Sequence, residues 1–175
     1  VNIVTKDLFQ KYPTPESFAS ARQEELEKDI HSTGFYHNKA KNIIACCNKI
    51  IQNFEGRVPN NMEDLLTLDG VGRKTANLIC GDLYGKPAYV CDTHVIRLTN
   101  RIGFVKTKDA VAVEKKLICI IPPEESLNFC HRLVWHGRLV CNARKPDCEK
   151  CCICDICSFY KNACKQIRED DSEKK

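Results

Sequence analysis

No stretch of this 175-residue chain approaches the roughly 18 consecutive apolar residues that a membrane-spanning helix requires, so the sequence offers no membrane span. No secretory leader, with its basic start and apolar run, is visible either. Period-two alternation of apolar and polar residues is missing, which argues against sheet architectures. Internal repeats, low-complexity segments and long linkers are absent, which leaves solenoids and tethered arrays without support. Charge of one sign does not dominate: 27 Lys and Arg stand against 23 Asp and Glu, a net charge of +4. That small excess permits an anionic partner without requiring one.

Cysteine, by contrast, is abundant. There are 13, an odd number, and "CNARKPDCEKCCICDIC" at 141–157 concentrates several of them in one short stretch. A secreted disulfide scaffold would spread paired cysteines through a loop-rich chain. Here Cys46, Cys47 and Cys80 sit instead in apolar helical patterns, where free thiols are common. The expected setting is therefore a reducing, intracellular one, with the C-terminal cysteines holding a metal. Two ligand sets are open. Cys148, Cys151, Cys154 and Cys157 form CxxCxxCxxC, close to the bacterial ferredoxin run, but Ser158 replaces the usual Pro and no second run exists. Cys141, Cys148, Cys151 and Cys157 form the alternative, C-x6-C-x2-C-x5-C, which leaves Cys152, Cys154 and Cys164 as spectators. Zinc accepts four thiolates too, but its sites more often use two knuckles separated by a longer insert.

The remaining patterning is helical, and the predicted class is all-α. Thr14 and Pro15 open a helix as cap and first residue. A longer one is expected over Phe35–Phe54, with Ile43, Ile44, Cys47, Ile50 and Ile51 on its buried side and Gly56 as its stop. Asn60 with Glu63 reads as a capping box. After the turn, Ala76, Ile79, Cys80 and Leu83 make one apolar stripe. Lys86–Pro87 punctuates the chain and is the expected lobe boundary. Asp92 caps a helix that Gly103 ends, and two further helices span about 109–120 and 124–140. His94 is expected to support its helix start, and Trp135 and His136 to pack the lobe. His31, His37 and His131 show no ligand pattern.

"LLTLDGVGRKTANLI" places two helices on either side of a tight turn. Gly70 and Gly72 permit positive φ and leave backbone N–H groups uncovered around Val71. Those donors lie at a helix N-terminus, where the dipole favours an anion. With Arg73 and Lys74 just beyond, the turn reads as a helix-hairpin-helix gripping nucleic-acid backbone without reading bases. Lys74 points away from the apolar stripe, towards an expected cleft between lobes. Positive potential there favours its neutral amine, a nucleophile able to form a Schiff base. Asp92, rigid and ionised as a cap, suits a reaction that develops positive charge on a sugar ring.

Four motifs, "GVGRKTAN" at 70–77, "DTHVIR" at 92–97, "HGR" at 136–138 and the cysteine run, together resemble those of the endonuclease III family of helix-hairpin-helix DNA glycosylases. The resemblance extends from near Val1 to about Tyr160. It implies a two-lobed fold with a C-terminal iron–sulfur cluster loop: a six-helix-barrel lobe over 1–86, N-terminally incomplete, a cluster lobe over 87–165 and a polar tail over 166–175. It implies a bifunctional enzyme that flips an oxidised pyrimidine from duplex DNA, removes it and cleaves the abasic site by β-elimination. In this resemblance Lys74 attacks the sugar, Asp92 assists, and Gly70, Val71, Gly72 and Arg73 clamp phosphate. Phe35 matches an apolar wedge, and Arg144 and Lys145 lie in the cluster loop within reach of phosphates. Cys141, Cys148, Cys151 and Cys157 match the ligands of a [4Fe–4S] cluster. The expected partner is double-stranded DNA carrying damaged bases or abasic sites, met by a monomer inside the cell, which for a prokaryotic source means the cytoplasm or nucleoid.

The sequence departs from the family at Asp69, where Pro is common, and an acid there could cap the following helix. A leading helix and a polar wedge segment of the family also have no counterpart in the chain. Lys74 and "DTHV" favour the lyase branch over adenine-mismatch glycosylases, which generally lack the lysine and tend to read "DGNV". Two further alternatives are a DNA-binding fragment without turnover and an electron carrier.

Overall fold

The computed structural model describes residues 2–162, so the polar tail and Cys164 lie outside the described residues. Helices account for the regular structure, and no strand occurs among the described residues, in line with the all-α expectation. The chain divides into two compact units, Val1–Ile79 and Cys80–Lys175. The division falls inside a helical segment, seven residues before the expected 86–87 boundary.

The first unit begins with α1 (Asn2–Lys11), α2 (Pro15–Ala19) and α3 (Gln23–Ile30). Thr14 caps α2: its hydroxyl accepts from Ser17 N at 3.3 Å while Ser17 Oγ accepts from Thr14 N at 3.1 Å. These helices bury Leu8, Tyr12, Phe18, Leu26 and Ile30 against α4 (Tyr36–Phe54). On α4, Ala40, Ile43, Ile44 and Cys47 face that core, the spacing expected of one buried stripe. Leu26 is wholly buried, and its truncation to Ala would cost about 2–5 kcal/mol. The helix ends at Phe54 because Glu55 and then Gly56 turn left-handed, at φ 53° and 74°.

The next cap sits one residue later than expected. Asn61, not Asn60, starts α5 (Met62–Thr67), accepting from Asp64 N at 2.8 Å and donating to the Asp64 carboxylate at 2.6 Å. The acidic partner is thus Asp64 rather than Glu63. After the turn comes α6 (Arg73–Leu78), which widens to π geometry over Ile79–Leu83. One extra residue in that turn rotates every later side chain about the helix axis. Ala76 and Cys80 are buried as expected, but Gly81 takes the next inward position and Leu83 is 62% exposed. A Cβ at 81 would lie 2.8 Å from Leu127 Cδ1 and 3.1 Å from Ala88 Cβ, so any larger residue would force the Leu127 side chain to shift.

In the second unit α7 (Thr93–Ile102), α8 (Ala110–Ile118) and α9 (Ser126–Leu139) enclose Val95, Leu98, Ile102, Val113, Leu117, Cys130 and Leu133. Burial pushes the Cys130 thiol up to about 11, the behaviour of a core residue rather than a nucleophile. Gly137 lets α9 approach α7: a Cβ there would meet His94 Nδ1 at 2.7 Å and the Arg97 guanidinium at 2.9 Å. Trp135 does not pack the lobe; it is 60% exposed, with the Arg138 guanidinium over its ring.

Candidate active site and cysteine loop

The hairpin turn is built by buried Leu65 and Leu68, which anchor α5, and by a hydrogen bond from Val71 N to Leu68 O at 3.1 Å. The two glycines differ. Gly70 alone is left-handed, φ +76°, and a Cβ there would press on Asn42 at 3.0 Å. Gly72 is extended, φ −91° and ψ 174°, and a Cβ there would meet nothing within 4 Å. The expectation of positive φ at both is corrected to Gly70 only. Gly72 stands as the N-cap of α6 and, being glycine, brings no capping side chain of its own. The N-cap position is thus Gly72 rather than Asp69. The Asp69 carboxylate lies 3.5 Å from Lys49 Nζ, which also donates to Thr67 O at 2.5 Å. Lys49 thus offsets the acid that stands beside the turn. Arg73 and Lys74 follow in the first turn of α6, and both are exposed.

Phe35 has unusual geometry. It is 87% exposed and left-handed at φ 49°, directly after Gly34 at φ 70°. A bulky aromatic at positive φ is strained, and an exposed one gains nothing from burial in return.

In the second unit Asp92 Oδ1 accepts from His94 N at 2.8 Å and Val95 N at 2.9 Å, which fixes the carboxylate at the start of α7. Both capping bonds use one oxygen, so the other is not spent on the cap. Lys74 and Asp92 belong to different units.

The cysteine loop follows α9. Cys141, Cys148, Cys151 and Cys157 border one recess, together with Cys154 and the ring of Phe159. Burial, then the neighbouring Cys141 and Cys157, push the Cys148 thiol up, and burial is also the first cause at Cys151. Thiols so placed part with their protons readily only to a cation that replaces them. Among the described residues no three His, Cys, Asp or Glu side chains are gathered tightly enough for a single ion. Both expected ligand sets thus lie on the same recess, Cys141 and Cys154 included. Three interactions here had no sequence signal. His136 Nε2 lies 3.4 Å from Cys151 Sγ, Arg101 reaches Cys141 Sγ at 3.2 Å, and Arg97 bonds the carbonyls of Gly137 and Cys141 at 3.0 Å each. Arg144 and Lys145 are exposed on the segment between Cys141 and Cys148.

The profile of the HhH-GPD superfamily base excision DNA repair proteins matches residues 1–123. The chain belongs to this superfamily. Within it, endonuclease III of Synechocystis sp. is 48% identical over 158 residues, which span 90% of this chain and 72% of that relative. Endonuclease III of Rickettsia prowazekii is 47% identical, over 93% and 76%. A solved endonuclease III–DNA covalent intermediate, trapped with an estranged adenine, superposes with a TM-score of 0.88 at 44% identity, over 93% of this chain and 76% of that one. A thermostable thymine-DNA glycosylase superposes at 0.81 with 27% identity, over 91% and 75%. This HhH-GPD chain therefore has the fold that its hairpin and cysteine motifs implied. No helix among its described residues is long and apolar enough to cross a membrane.

Proposed function

We propose that this chain is a bifunctional base-excision repair enzyme that removes oxidised pyrimidines from duplex DNA and then cuts the abasic strand by β-elimination. Its superfamily and its endonuclease III relatives support the reaction class. The single observation that carries the residue assignment is an exposed lysine, Lys74, in the first turn of a helix that a hairpin glycine, Gly72, opens.

In this reading the backbone donors around Gly70, Val71 and Gly72, with Arg73, take a phosphate of the damaged strand. The target nucleotide is flipped because stacking shields its sugar. Asp92, held by two backbone N–H groups, steadies positive charge growing on the sugar ring and accepts a proton from the Lys74 amine. The amine bonds to C1′ as the bond to the base breaks. The C1′–O4′ bond then opens, its oxygen taking a proton, to leave a Schiff base that acidifies the adjacent carbon, and loss of that carbon's proton expels the 3′ phosphate. Phe35, exposed and strained, acts as an apolar wedge against the opposite strand.

Cys141, Cys148, Cys151 and Cys157 would hold a [4Fe–4S] cluster, four thiolates being its usual ligands. Bound there, the cluster would fix the loop that carries Arg144 and Lys145, which contact phosphates; bond-breaking stays with Lys74 and Asp92. The enzyme works as a monomer on DNA inside the cell.

Borohydride trapping on duplex DNA carrying an abasic site or an oxidised thymine tests the reading. The wild-type chain should form a covalent adduct, and Lys74→Ala should lower strand cleavage on the order of 10³-fold or more with no adduct. An adduct that survives Lys74→Ala refutes the assignment.

A further inference from the structure

Arg101, near the end of α7, makes more separate contacts with the cysteine loop than any helical residue expected to matter there. Its NH1 donates to Cys141 Sγ at 3.2 Å and to Asn142 O at 2.7 Å, and its NH2 donates to Ala143 O at 2.8 Å. Its own carbonyl accepts from Cys157 Sγ at 3.4 Å, and its guanidinium lies 4.9 Å from the centre of the Phe159 ring. One residue thus touches the first and the last proposed ligand. It also holds the two carbonyls that lead directly to Arg144.

We propose that Arg101 is a positioning residue that ties both ends of the cysteine loop to α7, so that retention of the cluster and the phosphate contacts of Arg144 and Lys145 depend on the same guanidinium. The inference rests on the cluster reading given above. Its physical basis is the planar fork: two donor nitrogens at fixed separation serve a sulfur and two successive carbonyls at once, which a lysine ammonium on a flexible stem does not do. By fixing Asn142 and Ala143, the guanidinium sets where the backbone points as it enters Arg144 and Lys145, both of which are exposed.

The test uses purified holoprotein with Arg101→Gln, Arg101→Lys and, as a control, Arg132→Gln, an exposed arginine of α9 paired with Glu125. Iron and sulfide content are measured first, then the rate at which visible cluster absorbance is lost to a chelator. Loss should be about 10-fold faster in Arg101→Gln, in the range seen when a group supporting a metal ligand is removed, and unchanged in Arg132→Gln. Affinity for undamaged duplex DNA is then measured against salt. The log–log slope should shrink by one to two units in Arg101→Gln, since Arg144 and Lys145 each contribute about 0.9. A wild-type chain without iron and sulfide would sink the cluster reading, and this inference with it. A loaded wild type whose chelation rate and salt slope match those of Arg101→Gln would overturn the inference alone. Should Arg101→Gln fail to fold by circular dichroism, Arg101→Lys decides: faster loss and a smaller slope support the clamp, and wild-type behaviour refutes it.

Discussion

Two helix starts carry the proposed chemistry, and they are finished in opposite ways. At α6 the cap is Gly72, which has no side chain of its own to offer the helix and open space where a Cβ would be. At α7 the cap is Asp92, whose carboxylate takes two backbone donors at 2.8 and 2.9 Å. A helix N-terminus attracts negative charge either way. Left bare, it awaits an anion from outside; filled by its own chain, it immobilises a carboxylate for use. The same local physics thus yields a phosphate clamp in one unit and a fixed anion in the other.

Asp92 substitutions cut deepest into that contrast. Asp92→Asn keeps a good capping oxygen, so the melting temperature should move little while base removal falls on the order of 10²-fold or more. Asp92→Ala should lose the same activity and, in addition, about 1 kcal/mol of stability in denaturant titration. Equal activity in Asp92→Asn and wild type would reduce the carboxylate to a cap.

The glycines give an intermediate effect. Gly70→Ala meets both a left-handed backbone and Asn42, and should destabilise by about 1–2 kcal/mol. Gly72→Ala has room and an ordinary φ, so stability should stay within about 0.5 kcal/mol while affinity for abasic-site DNA drops, because the methyl intrudes where phosphate would sit. Unchanged binding in Gly72→Ala would mean that the bare cap receives nothing. The smallest effect belongs to Asp69→Asn. With the carboxylate gone, Lys49 is left unpaired beside the turn. DNA binding should tighten about threefold at low salt, and the gain should vanish as salt rises.

Features decided by neighbours along the chain were the ones legible in the sequence. The Thr14 cap, the Asp92 cap, the end of α7 at Gly103 and the hairpin itself depend on residues within a few positions of each other. The cap at Asn61 instead of Asn60 is a choice between equivalent side chains, settled by which one meets Asp64. The π turn was illegible, because an α-helical stripe predicts Leu83 inward and only packing of Gly81 on Leu127 and Ala88 reveals the slip. Arg101 was illegible for a different reason. Its partners lie about 40 residues away, and an arginine late in a helix looks like a solvated charge until the fold returns Cys141 to it. Asp69 misled because an acid before a helix usually caps it, whereas here Lys49 of α4 is its partner.

Gly34 and Phe35 leave a last consequence. A chain optimised only for its own persistence would carry glycine or asparagine at 35, where the backbone is left-handed and no apolar neighbour shelters the ring. The stability forgone is on the order of 1 kcal/mol. Under the proposed function, that cost keeps an aromatic ring standing free in solvent, ready for a duplex to close over it.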